Sequence, residues 1–150
     1  MLDIRAAYSP GDYQLARLLF REYVETPGVS VCAVGFEEEL KGLESFYELV
    51  LLGWVDGRPA ACGALRPLGG GRAEMKRLYV RPEARGTGAG RALVQALIDA
   101  AAGRGYSAIR LDTLPSMQAA IALYESLGFR RIPPYSPANP PEALCYELTL

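Results

Sequence analysis

The sequence predicts an α/β chain of the mixed α+β kind. It calls for a central, mostly antiparallel sheet of about seven strands flanked by about four helices. Three observations carry this. The middle of the chain, "ELVLLGWVDGRPAACGALRPLGGGRAEMKRLYV", reads as strand-like runs cut by Asp56-Gly57 and by Gly69-Gly70-Gly71, which makes a three-stranded antiparallel meander. The segments on either side carry apolar residues at helical spacing. A loop with glycines at 86, 88 and 90 joins the last meander strand to a long helical run. A length of 150 residues suits a single domain over 1–150.

Taken in order, "LDIRAAY" reads as a first strand. "SPGD" opens a helix with Ser9 as cap and Pro10 in its first turn, and Leu15, Leu18, Leu19, Tyr23 and Val24 share a face. "GFEEELKGLESFY" is a second, acidic helix. After the meander and the glycine loop, "GRALVQALIDAAAGRG" is a third helix, stopped by Gly103 and Gly105. "YSAIRLDTL" is a strand, and "SMQAAIALYESLGF" a fourth helix ended by Gly128. "FRRI", a proline-rich loop and "ALCYELTL" complete the chain, the first and last of these as an antiparallel pair.

Composition removes several chemistries. There is no histidine, which excludes a Ser-His-Asp triad, a Cys-His pair and most zinc sites, and no metal is expected. Sixteen basic and seventeen acidic residues leave no global charge for nucleic acid or a membrane surface. Cys32, Cys62 and Cys145 read as small buried hydrophobes in a reducing compartment. No leader pattern precedes the first strand and no apolar run would span a bilayer, so a cytoplasmic protein is expected.

The loop "VRPEARGTGAGRAL" is built for an anion. The first N–H groups of a helix lack internal partners, and the helix dipole places partial positive charge there. Glycines let a phosphate or pyrophosphate approach that backbone, and Arg85 and Arg91 add charge. The P-loop pattern and the dinucleotide pattern Gly-x-Gly-x-x-Gly are both absent. Arg85-Gly86-Thr87-Gly88-Ala89-Gly90 instead fits Arg/Gln-x-x-Gly-x-Gly/Ala. With "LYVRPEARG" before it and "LYESLGF" after it, the chain resembles the GNAT superfamily of N-acetyltransferases across essentially its whole length.

That resemblance implies a GNAT-like sheet with one parallel, splayed pair of strands at the site of the co-substrate acetyl-CoA. The pantetheine arm would pair with the backbone of Leu78, Tyr79 and Val80, the Leu78 N–H serving as oxyanion donor. The pyrophosphate would rest on N–H groups from Arg85 through Gly86, Thr87, Gly88, Ala89 and Gly90 to Arg91. Tyr124 matches the tyrosine that protonates the departing thiolate. Glu74, four residues before Leu78, is a candidate base or ammonium-binding group; alternation would put Glu74, Lys76, Leu78 and Val80 on one face, barring a bulge. Met117 stands where the family often carries an asparagine that contacts the cofactor arm, so that contact is either lost or supplied by the nearby Ser116 or Gln118.

The resemblance places the acceptor pocket between the first two helices and the loop before the last strand. Glu25, Glu37, Glu38, Glu39 and Glu142 would favour a cationic amine there, with Tyr135 and Phe36 as lining; a solvated helix face is the better explanation of Glu37 to Glu39. The implied activity is transfer of the acetyl group from acetyl-CoA to a primary amine of a small molecule, an amino acid derivative or a peptide. The alternative is a degenerate module that binds acyl-CoA as a sensor. A homodimer is the expectation the family carries.

Overall fold

The computed structural model describes residues 1–29 and 35–150. Ser30 to Val34, which include Cys32 and part of the expected acceptor segment, lie outside the described residues. Strand β1 (Leu2–Ala6) leads into helix α1 (Pro10–Glu25). The expected cap is present: the Ser9 hydroxyl accepts from the Asp12 N–H at 3.1 Å, and the Asp12 carboxylate accepts from the Ser9 N–H in return. Arg5 donates two hydrogen bonds to Asp12 and holds its carboxyl well below the usual carboxylate range. The buried stripe of α1 is Asp12, Ala16, Leu19 and Phe20, whereas Leu18 is 50% exposed. The apolar face is therefore rotated from the one read off the leucines.

The acidic segment forms two short helices, α2 (Phe36–Lys41) and α3 (Leu43–Phe46), because Gly42 breaks it. Among the described residues five α-helices result instead of four. The meander follows as β2 (Leu49–Val55), β3 (Arg58–Gly69) and β4 (Arg72–Val80). Asp56 and Gly57 both take positive φ, the two-residue turn whose twist suits a hairpin. Helix α4 (Ala89–Gly103), strand β5 (Ala108–Thr113), helix α5 (Gln118–Ser126) and strands β6 (Arg130–Ile132) and β7 (Leu144–Thr149) complete the chain. The seven strands form one sheet in the order β1-β2-β3-β4-β5-β7-β6. Among the described residues only β4 and β5 run parallel. Helices α4 and α5 cover one face over Leu65, Met75, Leu93, Leu97, Ile109 and Tyr146; α1 to α3 cover the other over Leu19, Phe20, Leu40, Leu43 and Leu52. Among the described residues no helix is long and apolar enough to cross a membrane.

Strand β4 carries a bulge. Cys62 pairs with Tyr79 and Ala64 with Lys76, so Gly63 alone faces both Arg77 and Leu78. Arg77 has a φ of 61°, uncommon for a residue with a side chain. The bulge breaks the alternation expected for Glu74, Lys76, Leu78 and Val80. Leu78 and Val80 pack on the α4 side, while Lys76 sits opposite Ala64 of the α1–α3 core. Helix α4 presses on the same point from above: a Cβ on Gly63 would come within 3.0 Å of Leu97 Cδ1.

The Arg77 side chain turns into the α1–α3 core. There it donates to Glu39 at 2.9 and 2.7 Å and lies 5.3 Å from the Phe36 ring centre. The Tyr47 hydroxyl also donates to Glu39, at 2.8 Å, and burial together with that carboxylate raises the Tyr47 phenol well above its ordinary value. Arg77 and Glu39 are both almost fully buried. Removing one partner of such a pair strands the other charge away from water. Glu39→Ala is expected to lose about 3 kcal/mol of unfolding free energy in a urea titration; a loss below about 1 kcal/mol, the size of an exposed pair, would show that the bulge holds without it.

Candidate active site

The parallel pairing of β4 with β5 is brief. It covers Arg72 with Ala108, Ala73 with Ile109 and Glu74 with Arg110, and then stops. Beyond it β4 stays on β3 as far as Val80, and β5 stays on β7 as far as Thr113. Met75 to Val80 thus face an opening on their β5 side. Such an edge can take an extended chain as an added strand. A groove of about 350 Å³ begins there, bounded by Leu78 to Val80, by Tyr23 of α1 and its C-cap Thr26, by the glycine loop, and by Met117, Ala120 and Leu123.

The loop shapes the far end of the groove. Pro82–Ala84 make a single 3-10 turn, and Arg85 folds back to donate to the Val80 carbonyl at 3.2 Å. The Thr87 hydroxyl donates to the Ala84 carbonyl at 2.6 Å. Gly88 is the N-cap of α4 at a φ of 87° and brings no side chain to cap it. The Ala89 N–H reaches the Thr87 hydroxyl at 3.4 Å, but the Gly90 and Arg91 N–H groups have no partner among the described residues. A Cβ at Gly88 would meet nothing within 4 Å, so glycine is demanded there by backbone conformation and not by space. Open space, a helix N-terminus with unpartnered donors and Arg85 beside it fit a phosphate group. Arg91 is partly committed, since it donates to Ser126 at 2.8 Å and ties α4 to α5.

From the groove a narrow passage of about 40 Å³ leads across the sheet. Tyr23, Leu78, Met117 and Ala120 line both spaces. Tyr124 lines the passage and is 5% exposed, its ring packed 5.6 Å from that of Phe129. Its hydroxyl has no hydrogen-bond partner among the described residues. Burial holds the phenol well above its ordinary value, so it keeps its proton at neutral pH. Neither Ser116 nor Gln118 lines the groove, and Gln118 is occupied with the Pro115 carbonyl at 2.5 Å. Met117 therefore replaces the expected asparagine with an apolar wall.

The passage opens on a third space of about 340 Å³, and Lys76, Arg77 and Asp112 line both. Its outer wall is the loop from Ser136 to Glu142. Glu74 is 3% exposed here and fully engaged: Tyr135 donates to it at 2.5 Å and Arg66 makes an ion pair at 3.1 Å. The Arg66 contact lacks hydrogen-bond alignment, which leaves Arg66 Nε without a hydrogen bond. Burial and the neighbouring Glu74 raise the Tyr135 phenol well above its ordinary value. Asn139 ties the loop down by accepting from the Tyr135 and Ser136 N–H groups and donating to Asp112 at 2.8 Å. Of the acidic residues read as acceptor contacts, Glu39 and Glu142 border this space. Glu25, Glu37 and Glu38 border a separate depression instead, where Arg21 pairs with Glu37. Phe36 is core, under Arg77. Asp112 and Lys76 went unread as site residues. The only local signal for Asp112 was a lone acid in the apolar run "AIRLDTL".

The sheet order, the one parallel splayed pair and the anion-shaped loop define an acyl-CoA-type transferase fold, and comparison with known proteins agrees. The acetyltransferase (GNAT) family model matches residues 13–129. The chain is 35% identical over 140 residues to an uncharacterized N-acetyltransferase of Schizosaccharomyces pombe, covering 89% of this chain and 86% of that one. It is 39% identical over 85 residues, 56% of each chain, to an IAA acetyltransferase of Azospirillum brasilense. Among solved structures it superimposes on an acetyltransferase of Streptococcus agalactiae with a TM-score of 0.81 at 19% identity, covering 99% of this chain and 98% of that one. It also superimposes on the ribosomal-protein-S18-alanine N-acetyltransferase of Escherichia coli, with a TM-score of 0.76 at 25% identity over 99% and 94%. The chain belongs to the GNAT family of acetyltransferases, whose members use acetyl-CoA.

An alanine at Gly88 must hold a left-handed φ at a cost of roughly 1–2 kcal/mol. Gly88→Ala is expected to lower unfolding free energy by that amount and to weaken coenzyme A binding, read by calorimetry. Unchanged affinity would remove the loop from the binding site.

Proposed function

We propose that the chain is an acetyl-CoA-dependent N-acetyltransferase acting on the primary amine of a small molecule, an amino acid derivative or a peptide. The observation that carries this reading is the shared lining of the three spaces: Leu78 lines groove and passage, Lys76 and Asp112 line passage and acceptor cavity, and Tyr124 is on the passage wall. Two relatives similar in sequence or structure are named for acetyl transfer, one of them to an alanine of a ribosomal protein.

Acetyl-CoA supplies an activated acetyl thioester. The glycine loop and the α4 N-terminus hold the anionic end of that co-substrate, and the open edge of β4 orients its arm. Leu78, which lines both groove and passage, offers its backbone N–H to the carbonyl oxygen as negative charge builds there. Tyr124 keeps its proton and donates it toward the departing sulfur. Asp112, at the mouth of the passage, receives the proton that the amine gives up as its C–N bond forms. Glu74 lies farther out, and its two partners fix it as the anchor of Tyr135 and Arg66. This assigns the base role to Asp112 rather than to Glu74.

Acetyl-CoA turnover, followed by free-thiol release against a panel of amines, tests the reading. Release is expected to need an acceptor and to fall about 100-fold or more in kcat for Tyr124→Phe. Unchanged kcat returns Tyr124 to a packing role, and tight binding of acetyl-CoA without release from any amine favours the sensor module.

The two carboxylates separate in their kinetics. Asp112→Asn is expected to lower kcat about 100-fold and to remove the acid limb of the pH–rate profile. Glu74→Gln is expected to raise KM for the amine and keep that limb. The reverse pattern assigns the base to Glu74.

A further inference from the structure

The charges of the acceptor cavity are largely spent on each other. Arg77 is bound to Glu39, and Arg66 is paired with Glu74, which Tyr135 also engages. Glu142 stays on the outer wall, and what remains at the junction of cavity and passage is one group of each sign. Asp112 accepts from Asn139 through one oxygen. Lys76 makes no hydrogen bond or ion pair among the described residues. The two do not pair with each other although both line the passage and the cavity. Lys76 is held there by backbone geometry: it is the last residue before the bulge at Arg77, on a strand fixed to β3, opposite Ala64, whose small side chain gives it no partner.

A half-buried ammonium and a half-buried carboxylate that line the same passage and cavity without pairing match a molecule that carries the opposite charges. Building on the N-acetyltransferase reading, we propose that the acceptor is a free amino acid, its carboxylate held by Lys76 and its amine presented to Asp112. A cavity of about 340 Å³ whose outer wall is a tied-down loop leaves space for a side chain. The α-amine of a peptide has a neutral amide where this site offers a cation, and a simple amine has nothing there. The reaction joins the amino nitrogen to the acetyl carbon, breaks the carbon–sulfur bond, passes the amine's proton to Asp112 and gives the thiolate a proton from Tyr124. The products are an N-acetyl amino acid and coenzyme A.

The test compares each of the common free amino acids with its own carboxamide, which keeps shape and removes the anion. The carboxamide amine is the less basic, so its chemistry alone favours the carboxamide. The parent protein is expected to prefer at least one free acid by about tenfold or more in kcat/KM, the size of a charge-assisted contact. Lys76→Met is expected to erase that preference through KM for the acid, with a clearly smaller loss on the carboxamide. Lys76→Arg is expected to restore part of it. If Lys76→Met does not fold, Lys76→Gln carries the same comparison. Preference for carboxamides or peptides, or an equal loss on acid and carboxamide, overturns the proposal. If no amine is acetylated, the transferase reading fails separately, and calorimetry with coenzyme A present then decides the anion site. Binding of N-acetyl amino acids over their N-acetyl carboxamides, lost in Lys76→Met, upholds it; no such difference overturns it.

Discussion

The buried pair between Arg77 and Glu39 is the contact on which the rest of the site depends. It fixes a non-glycine residue in a left-handed conformation, at a cost of roughly 1–2 kcal/mol, in the middle of the strand that serves every part of the site. A bulge bends and twists its strand. Here it sends Arg77 into the α1–α3 core, turns Leu78 toward the groove and leaves Lys76 facing the acceptor side. Two further contacts steady the far end of the same strand. Arg81 donates to Glu22 at 2.6 and 3.0 Å, and Tyr79 donates to it at 3.3 Å, which clamps the end of β4 to α1.

The frame was legible because its signals are local. Asp56-Gly57 marks a two-residue hairpin by its own backbone preference, Ser9-Pro10 opens α1 by capping, and the glycines before α4 mark a loop with left-handed backbone at Gly86 and Gly88. The bulge was not legible, since arginine has no preference for positive φ and its hold comes from Glu39, 38 residues away. The face shared by Glu74 and Leu78 fails for the same reason. The split of the acidic segment at Gly42 was open to reading, because glycine weakens a helix interior. The acceptor side was the least legible part. Glu74 meets Tyr135, and Asp112 meets Asn139, only through the closing of the sheet and the return of the proline-rich loop.

Within the site, burial sorts groups that look alike in sequence. Glu74 and Asp112 are both strand carboxylates. The first is enclosed and shared between a phenol and a guanidinium; the second stands at the mouth of the passage with one amide donor. Tyr124 and Tyr135 are both buried phenols, but Tyr135 spends its proton on Glu74 whereas the Tyr124 hydroxyl has no partner among the described residues. Cys62 and Cys145 are both buried thiols whose pKa burial raises, which suits packing better than reactivity.

The short parallel pairing has a thermodynamic side. Strands β1 to β4 and strands β5 to β7 form two half-sheets joined through three residue pairs, with α4 laid across the join. The groove straddles that join: Leu78 to Val80 belong to one half, Met117, Ala120 and Leu123 to the other. A molecule held in it fastens the two halves together, and a ligand at 100 times its Kd adds about 2.7 kcal/mol to the folded state. A co-substrate bound there as proposed would make the seam open less often, and so would lengthen the lifetime of the protein against proteases.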